Sequence, residues 1–120
     1  MKHHAAARRM VVQTLHNLPA ELRDAARQVP VCFEDLPDKA LIADGLDPDI
    51  LGLFVGAPRH EHANDPGPPP QIILYLENIL LECEEAGTSS FNEEVRRTYL
   101  HELGHYLGLD EEALAERDLD

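Results

Sequence analysis

The run His101-Glu102-Leu103-Gly104-His105 sets two imidazoles four residues apart, with a carboxylate next to the first. On an α-helix, residues four apart lie on one face, one turn along. His101 and His105 can therefore aim at a single ion. Glu102 sits about a quarter-turn round from His101. It can reach a water on that ion without being a ligand itself. This division of roles is the physical content of HExxH in zinc hydrolases: two ligands and a general base.

A catalytic zinc takes three protein ligands and a water. The third must come from outside this pair, and Glu111 is the leading candidate, with Asp110 its rival. Were the helix to continue straight, Glu111 would lie ~15 Å beyond His101 along the axis. The chain must turn back first. Gly108, three residues after His105, stands where a left-handed helix end is easiest for glycine. HExxHxxGxxE thus reads as two ligands, a base, a hinge and a returning carboxylate.

The helix that carries these groups should open at Ser90. Ser90 and Glu93 have capping-box spacing, and the helix is expected to run to about Leu107. At ~100° per residue, Val95, Tyr99, Leu100, Leu103, Tyr106 and Leu107 fall opposite the histidines, with Arg96 a misfit among them. Glu94, Arg97 and Thr98 share the histidine side. Upstream, Val11, Val12, Leu15 and Leu18 have helical spacing, and Pro19 can start a second helical piece. Val29, Val31 and Phe33 alternate as a strand. Residues 38–49 read as loop with a helical turn, 51–56 as a second strand, and 57–70 as a Pro-rich surface loop. Residues 71–76 read as a third strand, 77–86 as helix, and 111–118 as a short acidic helix. The fold class expected is α+β: a small mixed sheet of three or four strands, an N-terminal helix, and the metal-binding helix packed on the sheet.

The 120 residues suit one domain over 1–120, with residues 1–9 as a flexible tail. Three Tyr, three Phe and no Trp make the core mainly aliphatic. The formal net charge of −13 opposes a nucleic-acid partner or an anionic membrane. No window approaches the ~20 apolar residues of a membrane span. Cys32 and Cys83 are too few for a disulfide scaffold and suit a reducing compartment, so a cytoplasmic protein is expected.

The run HELGHYLGLDEEAL resembles the small zincin-like metalloproteases of bacteria, the minimal-zincin family once known as a domain of unknown function. LHNLPAEL (15–22), LGLFVGAP (51–58), IILY (72–75) and EEVRRTYLHELGHYLGLDEE (93–112) follow the same order. The resemblance implies a zincin-like fold, Zn2+ on His101 and His105, Glu111 as third ligand, and Glu102 as base. The spacing is also similar to that of metzincins, with Glu111 where those enzymes carry a third histidine. Those enzymes have a methionine turn after the helix. Here the only methionines are Met1 and Met10, and nine residues follow Glu111.

The expected function is hydrolysis of a peptide or protein substrate by a zinc-activated water, with Glu102 as base. His60, His62, Tyr75 and Tyr106 are candidates to steady the oxyanion. An edge strand, 51–56 or 71–76, is expected to hold an extended peptide. One alternative is a non-catalytic, metal-stabilised interaction domain, which would close the site with a fourth protein ligand. Another is a metal-dependent endoribonuclease, since the bacterial rRNA-processing enzymes have a similar histidine run. Those enzymes place a small residue where Glu102 stands, and the charge opposes RNA.

Overall fold

The computed structural model describes residues 3–59, 67–87, 90–117 and 119. Among these residues, six helices and three strands follow in the order α1 (His4–His16), α2 (Ala20–Ala26), β1 (Val31–Glu34), α3 (Lys39–Ala43), β2 (Gly52–Val55), β3 (Gln71–Tyr75), α4 (Leu76–Ala86), α5 (Phe91–Leu107) and α6 (Glu111–Glu116). The class is α+β, with a three-stranded mixed sheet ordered β1-β3-β2.

β3 is the central strand, and it alone is buried on both faces: Ile72, Ile73, Leu74 and Tyr75 are all buried, whereas Leu53, Phe54 and Val55 of β2 are only half-buried. It pairs in parallel with β1, matching Val31 to Ile72, and antiparallel with β2, matching Gly52 to Leu74. This corrects one expectation. Residues 71–76 cannot serve as an edge strand, since both sides of β3 are paired; among the described residues, β2 has an open side.

α5 is the organising helix. The Ser90 hydroxyl caps it, accepting the Glu93 backbone N–H at 3.2 Å. Its buried Val95, Tyr99, Leu100, Leu103 and Tyr106 form the centre of the core, against Ile72, Leu74, Leu76 and Ile79 from β3 and α4 and Ala7 and Val11 from α1. Of the apolar stripe expected from the sequence, all but the half-buried Leu107 is buried, and Glu94 and Thr98 from the histidine side are buried as well. Asn78 of α4 ties down the approach to β2, donating to the Pro48 and Ile50 carbonyls at 2.8 and 2.9 Å. Beyond β2, the Arg59 backbone N–H donates to the Tyr106 carbonyl at 2.7 Å, fixing the strand's far end to α5. Among the described residues, no helix is long and apolar enough to cross a membrane.

The N-terminus departs from the expected tail. α1 begins at His4, and Ala7 is fully buried. The segment Ala5-Ala6-Ala7-Arg8-Arg9 is made of strong helix formers. The packing of α1 on α5 supplies the tertiary support that a short helix needs. Deleting residues 1–9 should therefore lower stability by at least ~1 kcal/mol, a fall in Tm of roughly 4 °C or more. A truncated protein that melts with the parent in a thermal scan would restore the tail reading.

Candidate metal centre

α5 presents its non-core residues as two rows at four-residue spacing. Arg97, His101 and His105 form the outer row, exposed to solvent. Glu94, Thr98 and Glu102 form an inner row, each 7 or 8% exposed. Both rows line one cleft of about 580 Å³, whose opposite wall is Ile50 to Phe54 of the β2 segment. That volume lies within the range of small-molecule and peptide sites.

The inner row is covered because β2 approaches without a side chain. A Cβ on Gly52 would sit 2.8 Å from the Thr98 methyl and 3.2 Å from Glu102 Cγ. A glycine inside a short apolar strand is the signal for such an approach. The strand then serves the carboxylate directly, because the Phe54 backbone hydrogen-bonds with Glu102.

Burial dominates the Glu102 carboxyl and pushes its pKa up. His101, His105 and the Phe54 hydrogen bond pull the other way without cancelling it. One ligand atom from each of His101, Glu102 and His105 falls within 4.8 Å of the others. The two imidazole rings meet edge to face, 5.1 Å between centroids. Two imidazole nitrogens at this separation suit Zn2+, with the Glu102 carboxylate beside them; no Glu111 oxygen belongs to this cluster.

The third candidate arrives by a tight reversal. Gly108 is left-handed, φ 71°, and ends α5. The Leu109 backbone N–H then donates to the Gly104 carbonyl at 2.8 Å. Asp110 caps α6, its Oδ1 accepting the Ala113 N–H at 2.8 Å. Glu111, in the first turn of α6, comes back with Oε1 3.3 Å from His101 Nδ1. The rival carboxylates therefore play different parts, Asp110 holding the start of α6 and Glu111 meeting the histidine. The reversal requires Gly104, since a Cβ there would meet the Leu109 carbonyl oxygen at 2.8 Å. Sequence reasoning identified Gly108 but missed Gly104 and Gly52.

The oxyanion candidates fare differently. Tyr75 and Tyr106 are buried and line other surroundings: Tyr75 lies near Glu34 and Asp38, and Tyr106 packs on Phe54 with centroids 6.0 Å apart. Neither lines the cleft. His60 and His62 lie outside the described residues.

Two measurements test this geometry. Gly104→Ala places a methyl against backbone that has no free rotation. It should cost ~1–3 kcal/mol despite the better helix propensity of Ala, and should weaken zinc retention against a chelator. An unchanged Tm with unchanged retention would contradict the close approach. Glu102→Gln tests the buried charge in metal-free protein. A carboxyl raised in the fold stabilises most below its ordinary pKa and loses that contribution as pH rises through the raised value. The variant should therefore melt above the parent at pH 7, with the gap closing toward pH 4.

No curated protein compared with the chain matches it. The profile of the zincin-like metallopeptidases matches residues 26–120, from the end of α2 through the reversal and α6. With the helix, hinge and carboxylate arranged as above, the chain belongs to the zincin-like metallopeptidase family.

Proposed function

We propose that the protein is a zinc-dependent peptidase in which His101, His105 and Glu111 hold the ion and Glu102 is the general base. The observation that carries this reading is the pairing of a buried, backbone-anchored Glu102 with two exposed histidines and a returning Glu111. A zinc ion held there would supply Lewis acidity toward a carbonyl and lower the pKa of water toward neutrality.

The chain's own groups do the rest. Glu102, held by the Phe54 backbone, takes a proton from the attacking water as its oxygen joins the carbonyl carbon. It then delivers that proton to the amide nitrogen as the C–N bond breaks. A carboxylate raised by burial holds a proton more readily than an exposed one, which suits the second of these duties.

The substrate strand would lie along β2. Tyr75 N–H donates to the Leu51 carbonyl at 2.9 Å, which makes Leu51 and Tyr75 a hydrogen-bonded pair. The antiparallel alternation then turns the backbone groups of Gly52 and Phe54 outward. The Phe54 hydrogen bond with Glu102 fits that phase. An extended peptide added at this edge would have its backbone beside the base. The endoribonuclease alternative loses support because its small residue is replaced by a carboxylate built into the cleft wall.

Zinc analysis and cleavage of a peptide library by parent and Glu102→Gln test the reading. The variant should keep the parent's zinc content and lose roughly 10²- to 10⁴-fold in rate. A variant that cleaves as fast as the parent removes Glu102 from the chemistry. Full zinc content in His101→Ala or His105→Ala would remove the centre itself.

A further inference from the structure

Arg97 occupies the outer row one turn before His101 and lines the cleft. Among the described residues it is the only Lys or Arg that does so. Its Nη1 contacts both oxygens of Glu94, at 3.0 and 2.9 Å. Glu94 is 9% exposed at the side chain while Arg97 is 56% exposed. A carboxylate this buried needs a partner, so the guanidinium is anchored from beneath. Only one of its nitrogens is engaged. Nε and Nη2 make no hydrogen bond among the described residues. A guanidinium has five N–H donors in a rigid fork that matches a carboxylate. Anchoring by Glu94 reduces the side-chain freedom lost when that fork is filled.

We propose that Arg97 is a specificity-determining residue that receives a carboxylate of the bound peptide. This rests on the peptidase reading of the same cleft. The spacing sets the reach. Arg97 precedes His101 by four residues, ~6 Å along the helix axis. An extended chain advances ~3.4 Å per residue. The recognised carboxylate therefore belongs within about two residues of the cleaved bond. It is an Asp or Glu side chain, or the free C-terminus of a short peptide.

Charge makes the choice consequential. With a formal net charge of −13, the protein as a whole repels an acidic peptide. Glu111 and Glu112 share a second groove with Arg97 and His101. Arg97 supplies the local contact that lets an acidic group settle in this setting.

The experiment uses zinc-loaded Glu102→Gln protein, so that binding is read without turnover. Fluorescent peptides come in matched pairs: Asp against Asn, Glu against Gln, and free against amidated C-terminus, at each position within two residues of the site. Affinity for the acidic member should exceed that for its amide by roughly tenfold. The pair that shows the preference tells side chain from C-terminus. Adding Arg97→Gln should collapse the ratio to about one, and Arg97→Lys should restore part of it. Zinc content, measured alongside, should match the parent's. Equal binding of acid and amide overturns the proposal, as does binding of neither. An Arg97→Gln loss that is equal for both members also overturns it, since Arg97 would then only shape the cleft. Failure of the peptidase reading looks different: parent and Glu102→Gln proteins would match in a cleavage assay while the binding preference persisted.

Discussion

The reversal after α5 is the constraint on which the rest depends. A straight helix would carry Glu111 far from the histidines. Instead Gly108 adopts a left-handed conformation, and the Leu109 N–H closes back on the Gly104 carbonyl. The absence of a side chain on Gly104 lets Leu109 and Leu114 press against the helix. Leu114 then enters the core, which turns a local bend into a buried contact. The Asp110 cap starts α6 in the register that sets Glu111 beside His101. Hinge, cap and core anchor together hold the Glu111 carboxylate beside His101, so that less ordering entropy remains to be lost there.

Placing Glu102 under β2 has a cost. Burial raises the carboxyl's pKa, and an ionised group there opposes folding at neutral pH. Most buried charges are accepted only with close partners. Glu102 has one backbone hydrogen bond and two neighbouring imidazoles, which offset the burial in part. That imbalance is common where chemistry rather than stability selects the residue. Glu94, in the same inner row, shows the contrast: it too is buried, but a guanidinium holds both its oxygens.

Much of this is legible in the residues. The 3.6-residue period fixes which side of α5 meets the core, and the Ser90 cap fixes its start. The hinge at Gly108 follows from the expectation that a carboxylate returns toward the histidines. Three things are not legible. Strand order depends on contacts distant in sequence, although the fully apolar Ile72-Ile73-Leu74 already differs from the Gly-containing β2. Residues 4–9 look like a tail because nothing local shows that α5 lies across them. Gly52 and Gly104 act through what they leave out, and only the neighbouring backbone and side chains reveal the space they preserve.

The two rows on α5 bring most of the cleft's polar side chains onto one helix. One helix face carries a guanidinium and both histidines at four-residue spacing; its neighbour carries Glu94, Thr98 and Glu102 at the same spacing. Four residues fall slightly beyond one turn of 3.6, so each row drifts gently round the axis. β2 runs in the same sense as α5, with Gly52 beside Thr98 and Phe54 beside Tyr106, and so stays close to both rows along its length. Both histidines, Glu102 and one wall of the cleft therefore depend on the placement of a single helix. A rotation of α5 about its axis would misplace all of them together. The packing of α5 on α1, α2, α4 and both neighbouring strands is thus as much a part of the site as the histidines.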